Sequence, residues 1–365
     1  MIRSSEPPDP ADPPAGPLGG SALRRLVEAM PKSELHLHLD GSIRIDTALA
    51  LARSRDVDAP RTYGAMFDAL VAPPRGASQA DLLTRFELPI SLLQDVEALE
   101  LVTAELVETK AAEGVRYLEI RWGPSLHRRN GLALAEGIAA VCQGAREAAA
   151  RTGCTVRLIC TAIRSHEPAA VAELAHAAVR FQDVGLSGWD LAGPEAAHPD
   201  PQAFARAFEI ARDGGLRITL HAGEWGGPGQ VRRALALSPE RIAHGPGSVD
   251  DSELMAELIR RRVTLDLCPT SNVQAGIVAS VAEHPLGRLH RAGVPVSLST
   301  DDATVSDTLL SDEYVRAVEE IGLSLSELWA INVHGLDAAF APPEVVAGLK
   351  ASFEAWRTTI PELTT

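Results

Sequence analysis

The strongest constraint on this chain is a repeat. Short strand-like runs recur, nearly all separated by alanine- and leucine-rich helical stretches. The first lies within residues 33–42 and the rest at 115–122, 155–164, 186–192, 216–222, 241–244, 263–269 and 295–300. The helical patterns between them fall near 132–151, 168–181, 201–213, 229–237, 250–262 and 284–292. Alternation of this kind demands a parallel sheet, because each crossover must return the chain to the same end. Eight units close most naturally into a (β/α)8 TIM barrel, whose usual core is about 250 residues. The chain has 365. The surplus is assigned to a helical insertion after strand 1, which includes helices near 46–56, 81–93 and 95–113 and a looser stretch at 57–80, and to extra C-terminal helices after 311. An open doubly wound sheet is the competing fold. It would normally carry a Gly-rich phosphate turn after its first strand, and "HLDGS" is not one.

Residues 1–20 are rich in Pro, Gly and acid and lack the apolar stretch of a signal peptide, so a disordered tail is expected before one domain spanning 21–365. A short helix is expected before Pro31. The formal charge of −15 argues against a nucleic-acid partner. No apolar run is long enough for a membrane span. Four cysteines without a CxxC pair fit a reducing, cytoplasmic setting. A homo-oligomer is compatible with the chain.

The opening strand reads "SELHLHLDGS". Its leucines alternate with His36, His38 and Asp40, so two imidazoles share one face with a carboxylate. Barrel active sites form at the C-terminal strand ends. There the sequence places His36, His38, Asp40, Arg121, Arg164, Asp190, Gly193, His221, Glu224, His244, Cys268, Asp301 and Asp302. His36, His38, His221 and Asp301 form a donor set for one Zn2+ with a position open to water. The three lysines, Lys32, Lys110 and Lys350, lie off the middle strands, so none is placed to bridge two metals. A bridging Glu or Cys stays open. Glu224, three residues past His221, is a candidate proton donor. His244 is a candidate for holding or polarising the water, Asp301 for taking its proton, and Asp302 for a substrate contact.

Six motifs occur in order: "PKSELHLHLDGSIR", "DLAG", "HAGE", "RIAHG", "CPTSN" and "STDD". Together they resemble the adenosine deaminase family of the metal-dependent amidohydrolases, over residues 31 to 345. The resemblance implies hydrolytic loss of the 6-amino group from a 6-aminopurine nucleoside such as adenosine or deoxyadenosine. By it, His36, His38, His221 and Asp301 look like zinc ligands, Glu224 like the acid that protonates N1, and His244 like the residue orienting the attacking hydroxide. Asp302 would meet N7, the Gly193 N–H would meet N3, and Asp40 would meet the ribose with His38 adjacent. The insertion at 42–114 matches the region that roofs the pocket. One departure is "AGPE", where the family typically has an acid at the position of Pro194. Adenine or aminodeoxyfutalosine as substrate, a different amidohydrolase cutting an amide or ester, and a catalytically dead binding protein remain the alternatives.

Overall fold

The computed structural model describes residues 20–363. The expected tail lies outside the described residues except for Gly20, which opens a helix, Gly20–Ala29, ahead of Pro31. Eight strands follow: β1 Lys32–His38, β2 Val115–Trp122, β3 Thr155–Ile163, β4 Leu186–Ala192, β5 Arg217–His221, β6 Arg241–Ala243, β7 Thr264–Leu267 and β8 Val296–Leu298. They pair in sequence order, every pair parallel. A parallel bridge between Leu37 and Asp301 joins the two ends of the sheet: His38 N–H donates to Asp301 O at 2.7 Å and Asp301 N–H to His36 O at 3.1 Å. The expected barrel is the observed one.

Its interior is partly ionic. Arg121 on β2 reaches Asp190 Oδ2 on β4 at 3.4 Å and donates to Leu35 O at 3.0 Å. Arg241 on β6 pairs with Asp266 Oδ2 at 3.1 Å and with Glu119. All five ionic side chains are buried, and each charge has an opposite partner, which is the condition for leaving water. Around them Leu35, Leu37, Trp122, Leu220 and Leu267 belong to one continuous apolar core.

The local expectations need three corrections. The stretch 57–80 contains a helix, Tyr63–Leu70, started by Thr62, whose hydroxyl accepts from Ala65 N–H. The single helix expected at 81–93 is two, Gln79–Thr84 and Glu87–Leu92. Pro89 is the reason: it has no N–H for the Arg85 carbonyl and its ring collides with that turn, so it is tolerated only near the start of a new helix. The strand expected at 263–269 stops at Leu267, because Pro269 opens a helix, Pro269–Gln274, at the position where proline is favoured. The C-terminal helices are Leu310–Glu319, Leu325–Asp337 and Pro343–Arg357. Among the described residues no helix is long and apolar enough to cross a membrane.

Candidate active site

The C-terminal strand ends open into a pocket of about 450 Å³. Its floor carries His38, His221, Glu224, His244, Asp301 and Asp302; Leu82, Leu83, Phe86 and Ile90 of the insertion cover it. Asp40 and Gly193 also line it.

At the floor His36 Nε2 lies 3.3 Å from His38 Nε2, which lies 3.2 Å from His221 Nε2. Asp301 Oδ1 stands 2.9 Å from His36 Nε2 and 3.3 Å from His38 Nε2. The four donor atoms lie within 4.8 Å of one another. These four separations, 2.9–3.3 Å, are of the size that N and O donors bound at about 2.0–2.1 Å to one ion would have, so these residues would suit a single zinc ion. The rings are in the right form for it. Burial holds His36 well below the ordinary imidazole range and brings His221 down to about 4, leaving both neutral with lone pairs available. Burial opposes the charge on Asp301, but the rings of His36 and His244 outweigh it and keep the carboxylate ionised.

The backbone pays for this convergence with strain. Asp301 and His244 sit at φ +67° and +69°, a left-handed conformation uncommon for non-glycine residues. Asp301 is pinned there by the two bonds to β1 given above. Gly41 is glycine for a steric reason: a Cβ at that position would stand 1.8 Å from Asp302 Oδ1. Asp302 lines the pocket, and its Oδ1, buried against Gly41, has no hydrogen-bond partner among the described residues. Burial, reinforced by the charge of Asp301, pushes Asp302 well above the usual carboxylate range. The same two causes, in the same order, push Glu224 up. Glu224 Oε2 and Asp301 Oδ2 lie 3.9 and 3.7 Å from His244 Nε2, so the three groups border one small space beside the donor cluster.

Several supporting side chains escaped the sequence reading. Asp190 stood among the strand-end residues without a role. Its Oδ1 meets His221 Nδ1 at 3.1 Å, which directs the free nitrogen, Nε2, toward the cluster. Ser271 donates to Asp301 Oδ2 at 2.7 Å. Arg164 donates to the carbonyl of His221 at 2.8 Å. Pro194 follows Gly193, whose φ of +101° turns the chain at the end of β4. The acid beside it, Glu195, is buried and accepts from the N–H groups of Gly223, Trp225 and Gly226 at 2.7, 2.9 and 3.0 Å. Those residues flank Glu224, so Glu195 holds the loop that carries it. Only the alternation of "HAGEWGG" with glycine hinted that the loop needed an outside clamp.

A parallel barrel with imidazoles and carboxyls gathered at its strand ends is the architecture of an enzyme with its site at that face. The model of the family "Adenosine deaminase" matches residues 31–356. An adenosine deaminase of Enterococcus faecalis is 36% identical over 318 residues, which cover 87% of this chain and 94% of that protein. The Arabidopsis N6-mAMP deaminase structure superposes with a TM-score of 0.80 at 32% identity, covering 91% of this chain and 99% of that one. An amidohydrolase from Burkholderia ambifaria with bound Zn gives 0.83 at 26% identity, covering 91% and 92%. The chain belongs to the adenosine deaminase family and is an aminohydrolase.

Proposed function

We propose that the protein hydrolyses the 6-amino group from a neutral 6-aminopurine nucleoside, adenosine or deoxyadenosine foremost, releasing ammonia and leaving inosine or its deoxy form. The observation that carries this reading is the meeting of His36, His38, His221 and Asp301 at the floor of a pocket where two neighbouring acids, Glu224 and Asp302, are both held protonated by burial. These four residues would hold one Zn2+, the metal bound in the Burkholderia relative. When bound, such an ion supplies the Lewis acidity that makes a water nucleophilic near neutral pH.

The chain's own groups do the rest. Attack at C6 destroys ring aromaticity, so N1 must gain a proton as the tetrahedral centre forms. Glu224 carries that proton and donates it. Asp301 Oδ2, on the side facing His244, receives the proton of the attacking water and passes it to the 6-amino nitrogen; the C6–N bond then breaks with ammonia as the leaving group, and the new C6 hydroxyl returns a proton to Glu224 as the carbonyl forms. Asp302, a neutral acid at the pocket wall, donates to N7. The Gly193 N–H serves N3. Asp40, which lines the pocket, accepts from the sugar hydroxyls. The helices Gln79–Thr84 and Glu87–Leu92 exclude water from above.

The charge of the pocket bears on substrate class. Among the described residues no lysine or arginine lines it, while Asp40 and Glu87 do. A 5′-phosphate would meet no counter-charge and would face two carboxylates, which favours a nucleoside over a nucleotide such as the one named for the Arabidopsis relative. The test is ammonia release and the accompanying UV shift across adenosine, deoxyadenosine, adenine, methylthioadenosine, aminodeoxyfutalosine and AMP. Adenosine should lead and AMP should trail. Hydrolysis of an amide or ester with no ammonia from any aminopurine would overturn the reading.

A further inference from the structure

Behind His244 runs a line of buried polar groups that the reaction above does not use. The backbone N–H of Leu286 donates to His284 Nδ1 at 3.2 Å. His284 Nε2 lies 3.1 Å from Asn272 Oδ1. Asn272 Nδ2 lies 3.2 Å from His244 Nδ1. All three side chains are buried, so water does not compete for these bonds.

The direction of the line follows from its far end. A backbone N–H can only donate, so His284 Nδ1 carries no proton. Every imidazole keeps at least one, so it is on Nε2 and is donated to Asn272 Oδ1. That contact fixes the amide: oxygen toward His284, nitrogen toward His244. The Asn272 amide nitrogen then donates to His244 Nδ1, which must be bare. The His244 proton is therefore on Nε2, facing Asp301 and Glu224. Burial brings His284 down to about 3, in keeping with a neutral ring at the head of the line.

We infer that His284 and Asn272 are positioning residues that set the tautomer of His244, making it a hydrogen-bond donor into the active site. A ring with Nε2–H can hold the attacking water by its oxygen but cannot take its proton, so that proton goes to Asp301. The same arrangement leaves Nε2 without a lone pair for metal. His244, Cys268 and Asp301 have donor atoms within 4.8 Å of one another, and the relay keeps this second group from ligating an ion through His244. The catalytic consequence rests on the deamination reading; the tautomer does not.

The experiment is ring nitrogen NMR on the intact protein labelled with 15N-histidine, with the His244 signals assigned by their loss in His244→Gln. The wild type should show the His244 proton on Nε2 alone. His284→Leu removes the head of the line, frees the Asn272 amide to turn over, and should populate the Nδ1–H form. His284→Gln can accept from Leu286 and donate to Asn272, and should restore the pure Nε2–H form. Asn272→Asp presents an acceptor to Nδ1 and should place the proton there, lowering kcat by about 100-fold or more with KM little changed. A wild-type ring protonated at Nδ1, or a His284→Leu spectrum identical to wild type, would overturn the inference. The expected tautomers without ammonia from any aminopurine would leave the relay standing and retire the deamination reading instead.

Discussion

Asp190→Asn isolates the electrostatic part of the donor cluster. Asp190 Oδ1 takes His221 Nδ1 at 3.1 Å and the Leu191 N–H at 2.8 Å. Its Oδ2 takes the Thr161 hydroxyl at 3.1 Å and faces Arg121 Nη1 at 3.4 Å. Asparagine has the same shape, and its carbonyl oxygen can keep the bonds to His221 and Leu191. What is lost is the negative charge behind the imidazole, which raises the basicity of Nε2. Removing such a partner typically costs 10–100-fold in metal affinity, about 1.4–2.7 kcal/mol. The amide nitrogen would also face the Arg121 guanidinium, donor against donor. Arg121 still has Leu35 O at 3.0 Å and Asp266 Oδ2 at 3.7 Å. The loss of fold stability should therefore stay below the roughly 3–5 kcal/mol of a fully broken buried pair. Competition for zinc against a fluorescent chelator reads the first quantity and urea unfolding the second. If metal affinity stays at the wild-type value while His221→Ala releases the ion, Asp190 does not act through His221 and the reasoning fails.

Four further predictions follow from the same geometry. Glu224→Gln should keep its metal and lose about 10²–10⁴-fold in kcat, because an amide cannot supply the proton; near-normal turnover would remove Glu224 from the mechanism. Asp302→Ala should retain metal and lose roughly 5- to 150-fold in kcat/KM, the equivalent of about 1–3 kcal/mol for leaving N7 unpaired in a buried site, whereas Asp301→Ala should lose the metal itself; equal metal loss in elemental analysis would refute that division. Asp40→Ala should cut kcat/KM for a nucleoside by about 10-fold or more and spare any activity on free adenine; a parallel loss on both would deny the sugar contact. Glu313, on the helix Leu310–Glu319, is raised to about 7 by burial. The folded chain thus keeps a proton there that the unfolded chain sheds above the ordinary carboxylate value. Its contribution to stability is full below about 4.5, declines as pH rises toward 7 and is gone above it. Glu313→Gln should flatten that segment of the stability–pH curve measured by denaturant unfolding, and an unchanged slope would contradict the assignment.

The sequence carried much of this because the determining signals were local. A period of two in "LHLHLD" is a property of neighbouring residues, and it placed His36 and His38 on one face before any contact was known. Strand-to-helix alternation is likewise local, and eight repeats left few architectures open. The errors were local too. Pro89 and Pro269 were present in the chain, but their apolar neighbours outweighed them in the pattern, although the missing N–H and the ring of proline set where a helix can run.

What only the folded chain decided are the partnerships across distance. Asp190 and His221 are 31 positions apart. Glu195 reaches 28 to 31 positions forward to clamp the loop of Glu224. His284, Asn272 and His244 come from three separate stretches and become a relay only when β6 and the helices after β7 are packed side by side. A carboxylate, an amide or an imidazole looks the same in sequence whether it meets solvent or a buried ring. Its protonation, its tautomer and the direction of its hydrogen bonds come from burial and from neighbours that the barrel supplies. The residue types that can do the chemistry were therefore legible in the linear chain, while the form in which each one does it was set by tertiary contacts.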